Sequence, residues 1–329
     1  MSKDVNRRSF MKKSFIASAG ASMALSLEEK LLLAQTKKKS SVPAKKEGTK
    51  GMPMGKIGNL KVSRLLSGGN MIGGWAHSRD LLYVGSLMKA YNTDKKVMDT
   101  LELCEENGIN TIIAHLTAKR LITKYWKERG GKIQWVVDWE PQTNDWETEL
   151  KKYVDCGASA IYVEGVVADK WVQDGRLDLI EKLVEIVKKN GVLAGVGAHC
   201  LDVIVWCEDA EINPDFYVKT LHSGNYWSAK RPDQNAAVIN NPQDNYWSVT
   251  PEKTIEFMKK VDKPWIAFKV LAAGAIHPNE GFRYALENGA DFICVGMFDF
   301  QVKEDVAIAK NVLNDLAASK ISRVRPWKA

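Results

Sequence analysis

Short apolar runs alternate with longer amphipathic stretches along most of the chain after residue 57. The apolar runs are rich in β-branched and aromatic residues and are bounded by Gly, Asn and Asp, a pattern typical of buried strands. They predict eight strands, at Val62–Leu66, Thr111–Ala114, Gln134–Asp138, Ala160–Glu164, Leu193–Val196, Phe216–Lys219, Trp265–Val270 and Phe292–Val295. A chain that alternates strand and helix in this way is expected to build a parallel sheet.

The stretches between the strands have helical spacing. In Leu177–Lys189 apolar residues recur at i, i+3, i+4 and i+7, and Asn190-Gly191 follows as a helix end. Comparable helices are predicted at Val97–Glu106, Thr254–Val261 and Gly281–Glu287. Eight strand–helix repeats predict an α/β fold of the (β/α)8, or TIM barrel, type. An open Rossmann-type sheet is the alternative, but it would need a G-x-G-x-x-G turn after its first strand, and none is present.

The first 54 residues have a different composition. Asn6-Arg7-Arg8-Ser9-Phe10 resembles a twin-arginine signal, and the weakly apolar stretch at 14–27 is too short to span a bilayer stably. We therefore predict a signal segment at 1–35, a flexible linker at 36–54 and a single barrel at 55–329. Export by the twin-arginine machinery to the periplasm or another extracytoplasmic space follows. The alternative is a basic, unstructured tail that contains Arg-Arg by chance.

The net charge of +7 belongs to this leader. Residues 1–50 hold 12 Lys and Arg against 4 Asp and Glu, which leaves 35 basic and 36 acidic residues in the remainder. A balanced remainder argues against nucleic acid as a partner. The five cysteines include no C-x2-C pair, which argues against both a disulfide framework and a structural zinc site.

Four stretches resemble the aldo/keto reductase family. They are Gly58–Asn70, Glu106–Ile113, Ile180–His199, and the pair Ala273-Gly-Ala-Ile and Val295-Gly-Met. The resemblance implies a TIM barrel and an NAD(P)-dependent reductase that works through an Asp, Tyr, Lys and His tetrad. In the register of the motifs those positions hold Ile113, Ala118, Asp138 and Glu164, so the chain lacks the tetrad. Without the tyrosine acid and its lysine or histidine partner, NAD(P) is a disfavoured cofactor.

Polar residues follow the predicted strands at the end where barrel enzymes place their active sites. Asp138, Glu164, Lys219 and Lys269 are the candidate catalytic residues. Carboxylate and imidazole ligands suit Zn, Mn or Fe, and the predicted metal ligands are Asp138, Glu164, His199 and His222. The alternative is a structural ion network in which the two carboxylates pair with the lysines. His115 is equally well explained as a core histidine, and His277, which precedes Pro278, as a helix cap.

The connection at 222–249 is long enough to act as a lid. It contains Asn-Tyr-Trp-Ser twice, beginning at Asn225 and Asn245. Aromatic faces and amides suit sugar rings, and the predicted substrate contacts are Trp75, His77, Arg79, Trp139, Trp227 and Trp247. The alternative is that these tryptophans pack the lid onto the barrel.

Three hypotheses of function follow. The first is an exported TIM-barrel enzyme, assisted by a divalent metal, that acts as an isomerase, epimerase or lyase on a small carbohydrate-like carbonyl substrate. The second is an NAD(P)-dependent oxidoreductase with altered catalytic residues. The third is a sugar-binding barrel without catalysis. None of the three requires a membrane span in the mature protein.

The leader generates a prediction about export. Replacing Arg7 and Arg8 by lysine keeps the charge but removes the paired guanidinium groups. In a bacterium with a twin-arginine system, we expect the double variant to remain in the cytoplasm, as measured by cell fractionation and immunoblotting. The matched control is the double variant Lys12→Arg and Lys13→Arg, which should be exported normally. Equal export of both variants would contradict the signal assignment.

Overall fold

The strand–helix alternation closes into a barrel of eight parallel strands. The computed structural model describes residues 51–78, 81, 83–231, 247–319 and 325. A short antiparallel hairpin comes first, β1 (Met54–Ile57) and β2 (Leu60–Ser63). The barrel strands are β3 (Leu65–Gly68), β4 (Thr111–His115), β5 (Gln134–Trp139), β6 (Ala160–Val163), β7 (Leu193–Ala198), β8 (Phe216–Thr220), β9 (Trp265–Phe268) and β10 (Phe292–Val295). They pair in chain order, and β10 returns to β3 with Ile293 opposite Leu65. The predicted TIM barrel is confirmed.

Helices surround the barrel between successive strands. They are α1 (Asn70–Gly73), α2 (Tyr83–Tyr91), α3 (Asp94–Glu106), α4 (Lys119–Arg129), α5 (Trp146–Val154), α6 (Gly165–Gln173), α7 (Leu177–Lys189), α8 (Asp202–Asp209), α9 (Pro251–Met258), α10 (Pro278–Glu287) and α11 (Asp299–Ser319). Within the described ranges, no helix combines the length and the apolar character that a membrane span requires.

Each barrel strand buries both of its faces, so the apolar residues divide into two clusters. The larger cluster joins one face of the strands to the helices. The smaller one contains no helix residue and fills the barrel lumen. Its strand members are Leu66, Ile113, Val136, Ala160, Tyr162, Phe216, Val218, Ile266, Phe292 and Cys294. Because side chains alternate between the faces, these residues fix the direction in which every later residue of the same strand points.

The β1–β2 hairpin closes the lumen at the end where the strands begin. Ile57 and Val62 belong to the lumen cluster, and Leu60 packs against it. Gly58 turns the hairpin with a φ of +56°, and a Cβ there would lie 2.6 Å from Leu193 Cδ2. The predicted first strand, Val62–Leu66, is wrong in its limits, because it spans the end of the hairpin and the start of β3. The lumen is therefore closed at this end by the hairpin.

One buried carboxyl group in α11 has an oxygen atom without a hydrogen-bond partner among the described residues. The group is that of Asp305, which is 2% exposed, and the atom is Oδ2. Burial raises the pKa of Asp305 to about 6. Because this folded-state pKa lies above that of the unfolded chain, ionisation of Asp305 weakens the fold as the pH rises from about 4 to above 6.

Asp305→Asn should therefore stabilise the protein at pH 7. We expect a gain of about 1 kcal/mol in the free energy of unfolding, measured by urea denaturation. The gain should disappear near pH 4, where the carboxyl group is protonated in both states. Glu128→Gln, on the exposed face of α4, is the control and should change stability little, whereas the charge of Glu304 itself contributes to the raised pKa of Asp305. A gain that persists at pH 4 would contradict the explanation.

Candidate active site

The polar mouth of the barrel follows from strand alternation. On β5, Val136 faces the lumen, so Asp138, two residues later, faces it too. On β6, Tyr162 faces the lumen, and Glu164 follows it by two residues just beyond the strand end. On β7 the same face continues from Gly197 to His199. These side chains collect at the carboxyl ends of neighbouring strands, where barrel enzymes carry out catalysis.

Asp138 is a carboxyl group with incomplete hydrogen bonding. Its Oδ1 atom is buried and has no hydrogen-bond partner in the described part of the chain. Desolvation and the negative charge of Glu164 raise the pKa of Asp138 well above its ordinary value, whereas the Tyr162 hydroxyl and the Lys269 charge act in the opposite sense. Asp138 therefore keeps its proton to a higher pH than an exposed aspartic acid does, and in the protonated form it can donate a hydrogen bond.

Glu164 serves as the N-cap of α6. Its Oε2 atom accepts a hydrogen bond of 2.9 Å from the Val167 backbone N–H. Burial raises the pKa of Glu164 to about 7, although the N–H groups at the start of α6 and the charge of Lys269 oppose the shift. A carboxyl group with this pKa exchanges protons readily near neutral pH. Glu164 can both cap α6 and act as a base, because the ionised carboxylate accepts hydrogen bonds from backbone N–H groups and is also the form that accepts a proton.

Lys269 reaches this carboxylate pair through an unusual backbone conformation. It follows Ala267 and Phe268, and strict alternation from the lumen-facing Phe268 would turn its side chain towards the helices. Its φ is +57°, however, a conformation that costs a non-glycine residue about 1 kcal/mol or more. Lys269 Nζ lies 5.7 Å from the centroid of the Phe268 ring, and its charge acts on Asp138, Glu164 and His199. The strained turn thus places the ammonium group at the mouth.

His199 is held by a carboxylate that the sequence analysis missed. Asp169 on α6 accepts a 2.9 Å hydrogen bond from His199 Nδ1 and further bonds from the backbone N–H groups of His199 and Cys200. Desolvation lowers the pKa of His199 to about 4, because it outweighs the opposing charge of Asp169. The imidazole is therefore neutral at physiological pH. The one sequence signal was an acidic residue within the apolar helix that follows Glu164.

Two further lumen-facing side chains were also missed. The ring of Tyr162 fits because β7 has glycine opposite it, and a Cβ at Gly197 would lie 2.8 Å from Tyr162 Cε2. Thr220 lies on the same face of β8 as the lumen-facing Val218, and its buried Oγ1 atom has no hydrogen-bond partner among the described residues. Both residues look like ordinary strand positions in the sequence, so no pattern distinguished them.

Lys219 does not point into the mouth. Lys219 lies two residues after Tyr217 on β8, so its side chain is on the same face of the strand, towards the helices. It is 1% exposed. Its Nζ atom donates to the carbonyl oxygens of His199 and Thr220, at 2.8 and 3.0 Å. Burial lowers the pKa of Lys219 to about 8. The structure therefore gives Lys219 the role of tying the ends of β7 and β8 together, rather than the predicted place among the catalytic groups.

His222 is not available as a metal ligand. Its Nε2 atom accepts the Ser248 N–H at 2.9 Å, and its Nδ1 atom lies 3.0 Å from the Ser223 carbonyl oxygen, to which it donates. In the part of the chain that the structure describes, no three His, Cys, Asp or Glu side chains are grouped to hold a metal ion. The predicted ligand set of Asp138, Glu164, His199 and His222 is therefore not assembled, and we derive no chemical step through a metal.

The predicted aromatic contacts separate into different environments. Trp139 is wrong as a substrate contact, because it is fully buried on the helix side, where its Nε1 donates to Glu149 at 2.9 Å. Trp75 is 38% exposed, and its ring meets that of His115 edge-on at 5.2 Å. Trp227 is 83% exposed, whereas Trp247 is buried. Trp75 is thus the predicted aromatic residue best placed beside the mouth, since His115 is paired in register with Asp138.

The remaining predicted polar contacts give mixed results. His277 is confirmed as a helix cap, because its Nδ1 atom accepts the Asn279 N–H at 3.2 Å at the start of α10. His77 is half-buried with a φ of +47°. Arg79 and most of the predicted lid, at 232–246, lie outside the described residues.

His199 can lie where it does only because α6 begins with glycine. An ideal Cβ at Gly165 would lie 2.8 Å from His199 Cε1 and 3.0 Å from Nδ1. Gly165→Ala should displace the imidazole from Asp169 and lower the free energy of unfolding by about 1–3 kcal/mol, measured by urea denaturation. The control is Gly224→Ala, where a Cβ would meet no atom within 4 Å. Equal stability of the two variants would contradict this packing.

Comparison with known proteins supports the fold class. Two solved structures of Pseudomonas aeruginosa proteins assigned as aldo-keto reductases superpose with TM-scores of 0.54 and 0.52. Each is 14% identical to this chain; they cover 79% and 80% of it and 94% and 95% of their own lengths. A sialic acid synthetase from Leptospira borgpetersenii gives a TM-score of 0.45 at 10% identity, covering 80% of this chain and 91% of that one. No protein-family model and no curated protein matches the chain. At these identities the likeness shows the barrel fold, similar to that of aldo-keto reductases, and nothing about the reaction.

Proposed function

We propose that this protein is an enzyme that moves a proton next to the carbonyl group of a small carbohydrate-like compound, as an isomerase, epimerase or lyase. The observation that carries the proposal is the shared environment of Asp138, Glu164 and Lys269 at the barrel mouth. Two carboxyl groups that influence each other's ionisation and one ammonium group lie at the carboxyl ends of the strands. Environments that separate the pKa values of two carboxyl groups are typical of acid–base sites.

Each of the three residues has a distinct role in this proposal. Protonated Asp138 donates a hydrogen bond to the substrate carbonyl oxygen through its Oδ1 atom, which has no hydrogen-bond partner among the described residues. Glu164, with a pKa of about 7, removes the proton from the adjacent carbon and returns it to the product. The Lys269 ammonium group stabilises the negative charge that develops on oxygen. Together they supply an acid, a base and a counter-charge for an enediol-type intermediate.

The surroundings of the mouth favour a polyhydroxylated substrate. Thr220 contributes a buried hydroxyl without a described partner, and Trp75 offers a partly exposed aromatic surface beside His115. Aromatic faces stack on the C–H faces of sugars, while hydroxyl groups need polar partners. An exported location, as the leader predicts, would give the enzyme access to carbohydrates outside the cytoplasm.

The test is proton exchange at carbon. The purified protein is incubated with a panel of aldoses and ketoses in D2O, and NMR detects deuterium next to the carbonyl group. We expect exchange whose kcat/KM rises with pH through about 7, because Glu164 must be ionised to act as a base. Glu164→Gln and Asp138→Asn should each lower the rate by about 10²-fold or more.

Glu128→Gln is the matched control, since Glu128 is exposed on α4, and it should change the rate by less than about threefold. Glu140 is unsuitable because its charge acts on Asp138. If the wild-type protein binds sugars but catalyses no deuterium exchange, the result would contradict the proposal and support the non-catalytic barrel. Turnover that requires NADPH, together with quenching of nicotinamide fluorescence, would support the oxidoreductase instead. Exchange that is lost on chelation and restored by Zn²⁺ or Mn²⁺ would establish the predicted metal dependence.

A further inference from the structure

A second buried pair of titratable groups lies beside the proposed acid–base site. His199 and Asp169 are joined at 2.9 Å from Nδ1 to Oδ2, and their side chains are 3% and 0% exposed. Asp169 lies on α6, the helix that Glu164 caps. The positions of Glu164 and of the His199–Asp169 pair therefore depend on the same helix. The roles proposed above for Asp138, Glu164 and Lys269 do not use this pair.

The hydrogen bonds of Asp169 determine which nitrogen of His199 carries the proton. Oδ1 accepts the Cys200 N–H at 2.9 Å, and the His199 N–H lies 3.1–3.2 Å from the two carboxylate oxygens. An ionised carboxylate only accepts hydrogen bonds, so Nδ1 must be the donor in the remaining bond to Oδ2. In a neutral imidazole the lone pair then lies on Nε2, on the side of the ring away from Asp169.

Packing holds the imidazole in this orientation. One edge of the ring lies against Gly165, where a Cβ could not fit, and the ring is 5.2 Å from that of Phe268. Phe268 packs against the lumen cluster and also lies under the Lys269 ammonium group. His199 is therefore on the lumen side of β7, beside the residues of the proposed site and with a fixed ring plane.

We propose that Asp169 is a positioning residue that fixes His199 in the Nδ1–H tautomer, so that His199 Nε2 accepts a proton from a substrate hydroxyl group. This inference rests on the proposed function and narrows it to the interconversion of hydroxyl and carbonyl groups on neighbouring carbons, as in aldose–ketose isomerisation. The Asp169 carboxylate is bound by the backbone at 199–200 and lies behind His199, and its charge also raises the pKa of Glu164. The tautomer of His199 is therefore the readout that separates the positioning role from this electrostatic effect.

The proton transfers balance in such a reaction. Glu164 takes the proton from the carbon that bears the hydroxyl group, and later returns it to the former carbonyl carbon. Asp138 gives its proton to the carbonyl oxygen, which becomes a hydroxyl group. His199 Nε2 accepts the proton of the original hydroxyl group, whose oxygen becomes the new carbonyl oxygen. Solvent restores the proton to Asp138 and removes it from His199 after each turnover, so that no oxidant or reductant is needed.

Asp169→Asn tests the inference through the tautomer itself. With the Asn oxygen still accepting the Cys200 N–H, the amide NH2 faces His199 Nδ1, and two donors cannot share that contact. The imidazole should therefore move its proton to Nε2. The measurement is the ¹⁵N NMR spectrum of histidine-labelled protein, with the five histidines assigned by a His199→Gln variant. The wild type should show protonated Nδ1 and unprotonated Nε2.

The variant should also lose turnover. We expect aldose–ketose conversion to fall by about 10²- to 10⁴-fold in kcat, as when a wrong tautomer is imposed on a catalytic histidine. Asp202→Asn is the matched control. Asp202 begins α8 and acts on Lys219, so its removal takes away a nearby carboxylate but should leave both the tautomer and the rate unchanged.

Three results would overturn the inference. They are a wild-type His199 protonated on Nε2, an Asp169→Asn variant with the wild-type tautomer, and a changed tautomer with an unchanged rate of conversion. If the wild type exchanges no deuterium with any sugar, the proposed function fails, and the tautomer measurement decides the positioning role of Asp169 on its own.

Discussion

The alternation of side chains along eight parallel strands is the constraint on which the rest of the structure depends. A closed barrel has no exposed face, so one set of residues must fill the lumen and the other must contact the helices. The apolar lumen set ends in Asp138 on β5, in Glu164 just beyond β6 and in His199 just beyond β7. Their collection at one place thus results from the same register that builds the core.

The site is organised by desolvation more than by ion pairing. Burial is the largest influence on the pKa values of Asp138, Glu164 and His199, and in each case it favours the neutral form. Lys269 only partly offsets it for the two carboxyl groups. Buried ion pairs normally satisfy one another's hydrogen bonds, whereas Asp138 keeps an Oδ1 atom without a described partner. The absence of a described partner for this oxygen atom is one of the observations that support the proposed binding of a polar ligand at the barrel mouth.

The helices and barrel strands of this chain are predictable from its sequence because their signals are local. Leu177–Lys189 and Phe292–Val295 agree with the structure to the residue, since amphipathic spacing and a buried run are both defined by neighbouring positions. The β1–β2 hairpin was missed because its lumen contacts come from residues distant in sequence. Asp169 was missed for the same reason, as its partners lie 30 and 31 residues further along the chain.

Lys219 and Lys269 show that a position near the end of a strand does not by itself predict a place in the barrel mouth. Lys219 and Lys269 each follow a lumen-facing residue, so alternation sends both side chains towards the helices, and Lys219 obeys it. Lys269 departs from it only through its left-handed backbone, which no propensity predicts for lysine. Glycine would adopt the same conformation without strain but would remove the Lys269 charge that acts on Asp138 and Glu164. The left-handed conformation of Lys269 costs stability, but it brings one ammonium group to two buried carboxyl groups. Strained backbone of this kind is typical of functional sites, so it supports the proposed catalytic role of Lys269.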